Sequence, residues 1–333
     1  MSRRVLVTGG AGFIGLHLVA RLAAEPDTEV VVADDFSRGR RDEALAELVD
    51  GGAVRTVDVD LTRSETLDAL GPGPFDEVFH LAAILGVERV LAQPLRVLDV
   101  NLGGTLALLH WLDGVEHGRL LLASTSEVYA WTRRFHELSV PTPEDVPLAV
   151  TDLDDPRSSY AASKIAAELA VTQWARAGGG EHTIVRYHNV YGPRMGHDHV
   201  IPQIYARAAA GQDPLVVYSP QHRRAFCFVD DAVEATLLAI RSDAAAGATI
   251  NVGNDLEEVS IEELARRLLV AGDLPARELD GQAAANDPVD RRCPDVTRAR
   301  ELLGYQPRVP LDEGLRRTLA WYARESAPAE AGP

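Results

Sequence analysis

Short runs of aliphatic and β-branched residues alternate along the first half of the chain with longer stretches whose apolar residues recur every three or four positions. Val5, Leu6 and Val7 read as a buried strand; Ile14, Leu18 and Leu22, with Val19 beside them, follow at helical spacing until Glu25-Pro26 ends the run. The same pattern predicts strands at Val30–Ala33, Val54–Val57, Val78–Leu81, Leu120–Ser124 and Thr183–Tyr187, and a late one at Thr249–Val252. Each is apolar almost throughout, as a sheet covered on both faces requires. Their alternation with helices predicts βαβ units and a parallel, doubly wound α/β sheet.

Both periods vanish between Trp131 and Ser158, where Pro141, Pro143, Pro147 and Pro156 stand among acidic residues. The stretch reads as a long loop, and a lid over a site is one use for a loop of this length. From Gln203 onward short helices and irregular segments replace the regular alternation, which predicts a smaller lobe built from excursions off the main sheet. The expected organisation is a first domain over residues 1–187, to which the chain returns around 225–255, a small lobe over 188–325, and a frayed tail at 326–333.

The composition is that of a folded soluble protein: 333 residues, 46% hydrophobic and 25% charged, with a mean hydropathy of −0.08. The balance of 33 Lys+Arg against 50 Asp+Glu leaves a formal charge of −17, which repels nucleic acid and anionic membranes and obliges any anionic ligand to be held by a few local arginines. Only Cys227 and Cys293 are present, too few for a disulfide framework or a zinc site, so no metal is expected. With no secretory signal and no apolar run of membrane-spanning length, the expectation is a cytoplasmic protein.

Gly9, Gly12 and Gly15 in TGGAGFIG fall between the first strand and the first helix. In that context the first glycine allows a tight turn, the second lets backbone approach a pyrophosphate, and the third lets helix and strand pack closely. The helix N-terminus supplies free N–H groups to the phosphates. Asp34, at the end of the second strand, is placed to accept hydrogen bonds from adenosine ribose hydroxyls and would repel a 2′-phosphate, so NAD is the expected cofactor, with Arg38, Arg40 and Arg41 close by as the argument for NADP.

Tyr160 and Lys164 in SSYAASK stand one helical turn apart and share a face. A phenol is too weak an acid to serve as a base at neutral pH, but a neighbouring ammonium and a positive nicotinamide ring favour the phenolate. Taken alone the pair is an ordinary solvated Tyr and Lys. Thr125-Ser126-Glu127, at the carboxyl end of the fifth strand where open α/β sheets bind ligands, gives it a context.

Taken together, GGAGFIG, the HLAA after strand four, Asn101, STSEVY, YxxxK and RYHNVYGPRM resemble the extended short-chain dehydrogenase/reductases that act on nucleotide sugars, over nearly the whole chain. Within that superfamily the chain is most similar to the UDP-glucuronate decarboxylases, also called UDP-xylose synthases; 4-epimerases and 4,6-dehydratases are cousins. The resemblance implies a Rossmann-type sheet with a smaller C-terminal sugar-nucleotide lobe, and a homodimer formed through helices around Leu95–Leu112 and Tyr160–Ala177. It implies that Thr125, Tyr160 and Lys164 remove the C4 hydroxyl proton while hydride passes to NAD, after which the C5 carboxylate leaves as carbon dioxide. The cofactor contacts it implies, beyond the three glycines and Asp34, are Phe13, Ile14, Asp35, Ser37, Asp60, Leu61, Leu81, Ala82, Ala83, Asn101, Tyr160, Lys164 and Tyr187.

Ser126-Glu127 separates the cousins. The dehydratases carry Asp-Glu there, because an acid must protonate a departing C6 hydroxyl, and Ser126 cannot be that acid. The 4-epimerases usually lack the glutamate, so Glu127 leans towards decarboxylation, with a role in positioning the sugar or in C5 reprotonation. Arg224 matches a diphosphate-binding arginine also implicated in catalysis, and Arg292 a second one, with Arg291 as the alternative register. Asn189, His199, Val200, Val216 and Tyr218 match segments that grip the sugar phosphate and uracil. The chain departs from the pattern at Ala130, which replaces a glycine, at His188, which replaces an aromatic residue before Asn189, at Ser219, which replaces another glycine, and over Trp131–His136. These departures bear on the sugar and on whether a 4-keto pentose is released. UDP-glucuronate 4-epimerisation, 4,6-dehydration and a catalytically silent NAD-binding regulatory protein are the other readings.

Overall fold

In the computed structural model, which describes residues 2–132, 135–284 and 289–326, all seven predicted strands join one sheet. They are β1 (Arg3–Thr8), β2 (Thr28–Asp34), β3 (Val54–Asp58), β4 (Phe75–His80), β5 (His117–Thr125), β6 (His182–Tyr187) and β7 (Thr249–Val252). The spatial order is β7-β6-β5-β4-β1-β2-β3 and every pairing is parallel, a Rossmann-like α/β fold. The order reverses between β1 and β4, so the crevice for a ligand opens at the carboxyl ends of these two strands.

The near-continuous apolar runs have a period of two once their faces are separated. Val5, Val7, Val30, Val32, Phe79, Leu121 and Val185 point to one side, against helices α1 (Phe13–Ala23) and α4 (Val229–Arg241). Leu6, Val31, Val78, Leu120, Leu122 and Ile184 point to the other, against α2 (Gly104–Leu112) and α3 (Ser158–Trp174). Each fully buried side chain contributes about 1.5–3 kcal/mol, which fixes the register of every strand and hence the position of every residue at its carboxyl end.

After β6 the chain alternates between short strands away from the sheet, at Leu215–Tyr218, Arg223–Ala225 and Arg291–Arg292, and returns to it through α4 and β7. Between Trp131 and the start of α3 the described residues form no α-helix and no strand beyond an isolated bridge at Thr142, as expected, but the segment is tethered rather than loose. Thr142 bridges Pro294, Glu144 Oε1 accepts the Asn251 N–H at 2.8 Å, and the Thr132 hydroxyl donates to the Pro147 carbonyl at 2.8 Å. The expected lid is therefore, over this stretch, a wall. Residues 133 and 134, within the stretch flagged as unusual, and 327–333, nearly all of the expected frayed tail, lie outside the described residues. No helix among the described residues is long and apolar enough to cross a membrane.

Candidate active site

The glycine turn is shaped by contacts that no side chain could survive. Gly9 has φ +71°, and a Cβ on it would stand 2.6 Å from the Ala82 nitrogen; one on Gly15 would stand 2.2 Å from the Gly9 carbonyl oxygen. Gly12 precedes α1, whose first turn carries Phe13 and Ile14. Asp34 accepts from the N–H groups of Ala11 (3.0 Å) and Phe36 (2.9 Å); burial raises its pKa, and these two bonds work against that rise. Asp35 accepts from the N–H and hydroxyl of Ser37. Across the crevice, Leu81 and Ala82 donate their N–H groups to the Thr8 carbonyl and hydroxyl, which seats the segment that includes Ala83 against Gly9. Asp60, after β3, binds Thr62, and Leu61 packs on Gly104. A bare backbone cradle, a helix N-terminus and a carboxylate beyond β2 fit a dinucleotide.

Of the catalytic residues expected from sequence, Thr125, Glu127, Tyr160 and Lys164 come together at the carboxyl end of β5, and Arg224 does not join them. Thr125 accepts the Glu127 N–H at 3.2 Å, starting the turn that presents Ser126 and Glu127, and shares a hydrogen bond with the Tyr160 hydroxyl. Burial pushes Tyr160 up to about 12, with Glu127 adding to the rise and Thr125 and Arg38 opposing it. The expected lowering by Lys164 is not built into the protein alone: the Lys164 ammonium donates to the Ala123 carbonyl at 2.8 Å, and burial brings it down to about 8 while Glu168 holds it up. Asn101 sits in a single π-turn, Asp99–Gly103, which aims its amide at the Ile84 backbone and at the Ser163 hydroxyl; Ser163 in turn donates to the Tyr160 carbonyl. His80, between Thr8 and Thr105, is held down to about 3 by burial, with Lys164 contributing, and stays neutral. The Tyr187 hydroxyl is engaged with Thr236 at 2.7 Å, so this residue offers the crevice its backbone.

Beneath the crevice lies a polar chain that sequence reasoning missed. The Ser124 hydroxyl donates to Glu168, Glu168 pairs with Arg186 at 2.6 Å, and Arg186 donates to the Tyr129 hydroxyl at 2.8 Å. Tyr129 donates to Asn251 Oδ1, which also takes His188 Nε2. Glu168 lies one turn beyond Lys164 on the same helix face, and that spacing was its available signal. Arg194 was also missed, although it stands inside the GPRM motif. Its guanidinium donates to the carbonyls of Ala11, Gly12 and Arg40 and pairs with Asp42 at 2.7 Å, tying the glycine turn to the loop after β2.

The expected substrate residues divide. Arg292 lies against Glu127 in an ion pair, whereas Arg291 turns to Glu258 at 2.7 and 2.8 Å. Arg224 is buried, with its guanidinium donating to the carbonyls of Val289, Asp290 and Arg223. Asn189, at φ +41°, donates to the Ala225 carbonyl. His199 precedes the helix Val200–Ala209, Arg207 of that helix donates to the Val216 carbonyl, and its guanidinium lies over the exposed Tyr218 ring.

Residues 5–253 match the model of the NAD dependent epimerase/dehydratase family. The chain is 32% identical to UDP-N-acetyl-alpha-D-glucosaminuronate decarboxylase of Bacillus cytotoxicus, over 97% of this chain and 98% of that one. It is also 32% identical to UDP-glucuronic acid decarboxylase 5 of Arabidopsis thaliana, over 94% and 87%. Among solved structures, UDP-glucuronic acid 4-epimerase from Bacillus cereus, in complex with UDP-glucuronic acid and NAD, superposes with a TM-score of 0.84 at 25% identity, over 97% and 99% of the two chains. A glycine cradle at the β1–β4 crevice, the Thr125, Tyr160 and Lys164 cluster and a match that spans most of the chain lead to one conclusion: this protein belongs to the NAD dependent epimerase/dehydratase family, and its cofactor is NAD.

Proposed function

We propose that the protein is a UDP-glucuronate decarboxylase. The observation that carries the reading is the Glu127–Arg292 pair beside Ser126, next to Tyr160. A carboxylate and a guanidinium held together present a substrate carboxylate with a cation and, once it has left, a residue able to move a proton at C5. Two relatives named for decarboxylation of uronic acid nucleotides support it.

NAD, when bound, would supply the acceptor for the C4 hydride. Tyr160, whose phenolate a positive nicotinamide ring beside it would favour, takes the C4 hydroxyl proton as that carbon becomes a ketone. The C5–C6 bond then breaks, its electron pair passes into the C4 carbonyl as an enolate, and carbon dioxide leaves. Glu127 or a water that it orients delivers a proton to C5, which gives the 4-keto pentose; return of the hydride, with the Tyr160 proton going back to the oxygen, would give the reduced pentose. Ser126 lacks the acidity to expel a C6 hydroxyl, which disfavours dehydration. The contacts inferred above for NAD and the sugar nucleotide belong to this reading, as does a division into a cofactor lobe and a sugar-nucleotide lobe. So does a homodimer: Leu95, Leu106 and Leu169, on the two helical regions expected to pair, are exposed.

Mass spectrometry of products formed from UDP-glucuronate and NAD tests the proposal. Loss of carbon dioxide is the expected result, and the ratio of 4-keto to reduced pentose shows whether the hydride returns. Retention of the carboxyl group with inversion at C4 would make the protein an epimerase. Glu127→Gln is expected to oxidise C4 and to slow the later steps.

A further inference from the structure

His188 departs from the aromatic residue common before the asparagine, and the structure gives the departure a chemical meaning. The Asn251 amide is oriented by its own donors, to the carbonyls of Thr142 (3.0 Å) and Asp295 (3.1 Å), so Oδ1 is the acceptor facing His188. The Tyr129 hydroxyl already receives a proton from Arg186 and gives its own to this Oδ1. His188 Nε2, 3.0 Å away, must therefore carry the ring proton. Nδ1 is left as a bare lone pair, and among the described residues it has no hydrogen-bond partner although the residue is 2% exposed. Burial holds the ring down to about 4, with the charges of Arg292 and Arg186 acting in the same direction, so the ring stays neutral.

That ring lines a cavity of about 30 Å³ with Ser126, Ala130, Leu138, Val289 and Arg292. The cavity adjoins the Glu127–Arg292 pair and has room for one small group. An unsatisfied buried acceptor costs about 1–3 kcal/mol, which a donor arriving with the ligand would recover. A second carboxylate oxygen would meet lone pair against lone pair.

We infer that His188 Nδ1 accepts a hydrogen bond from a sugar hydroxyl other than that at C4, which makes His188 a specificity-determining residue for the hexose ring. The inference rests on the nucleotide-sugar reading above, and C4 is set aside because Thr125 and Tyr160 take it there.

Two substitutions separate the two nitrogens. His188→Asn can place a carbonyl oxygen near the position of Nδ1 but cannot reach Asn251; His188→Gln can reach Asn251 but leaves no acceptor at the position of Nδ1. Calorimetric affinities are measured for UDP-glucuronate and for its 2-deoxy and 3-deoxy analogues, with the parent and both variants, and NAD affinity serves as the check that each variant is folded. One of the two analogues is expected to bind the parent ten- to a hundredfold more weakly than UDP-glucuronate. That penalty is expected to persist in the Asn variant and to fall to within about twofold in the Gln variant. If both analogues bind the parent as UDP-glucuronate does, or if the penalty persists in Gln and disappears in Asn, the inference is overturned, the second pattern marking a role exerted through Asn251 alone. Should one variant fail to fold, the other still decides, since each predicts an opposite outcome. Failure of the parent to bind UDP-glucuronate would overturn the functional reading itself, a different result from binding without discrimination.

Discussion

Lys164, expected from the sequence to act with Tyr160, carries a charge whose cost to the fold can be worked from the structure. A free lysine titrates near 10.5; burial brings this one down to about 8, with Glu168 opposing, so at pH 7 the folded protein holds an ammonium in a place that disfavours it. Each tenfold in proton affinity corresponds to about 1.4 kcal/mol, so the charge costs the fold about 3 kcal/mol at pH 7. Lys164→Met removes the charge at similar length. It also strips the Ala123 carbonyl of its donor, a loss of about 1 kcal/mol. The variant is thus expected to be inactive and yet about 2 kcal/mol more stable at pH 7. The sign with pH follows from the lowered folded value: between about 8 and 10.5 the unfolded chain holds more protons, so the parent gains stability through this window and the Met variant does not. At pH 9.5 the cost has dropped to about 1 kcal/mol, and the advantage of the variant should have vanished. Urea unfolding of the cofactor-free protein at both pH values is the assay. A variant less stable than the parent at pH 7, or an advantage that does not change between the two, would refute the reasoning.

Tyr160→Phe is expected to lower C4 oxidation by roughly 10²- to 10⁴-fold with the fold intact, read as the rate of nicotinamide reduction on adding UDP-glucuronate. Glu168→Leu leaves the Arg186 guanidinium buried without its carboxylate and should cost about 3–5 kcal/mol, seen as a large drop in melting temperature. Gly15→Ala puts a Cβ 2.2 Å from the Gly9 oxygen and so forces helix and turn apart; calorimetry should show NAD affinity reduced at least tenfold.

The fold was legible because parallel strands are apolar on both faces, and where a boundary was misread the reason is charge. β4 begins at Phe75 rather than Val78 because the interposed carboxylates have partners: Asp76 accepts the Arg4 N–H, and Glu77 pairs with Arg241. β5 likewise starts at His117, since Arg119 is received by Glu181 and by the carbonyls of Ile240 and Ser242. Polar residues at the amino ends of strands look like loop in a sequence and like strand once the opposite charge is present.

The site divides along the same line of reasoning. The glycine turn, Thr125–Glu127 and the Tyr160 and Lys164 pair are local, each set by a few consecutive residues or one helical turn. The chain from Ser124 through Glu168, Arg186, Tyr129 and Asn251 to His188 draws on four separate segments, and no local spacing announces it as a whole. Yet the chain explains why a stretch without periodicity is fixed beside the crevice. The loop after Trp131 has no ladder of its own, so its buried groups must find partners elsewhere: the Glu144 carbonyl meets Arg186, the Glu144 carboxylate meets the Asn251 N–H, and the Thr142 carbonyl meets the Asn251 amide. Asn251, on the last strand of the sheet, thereby holds the loop beside the crevice and the tautomer of His188 at once, so the same side chain that orders the loop also decides which ring nitrogen keeps a bare lone pair.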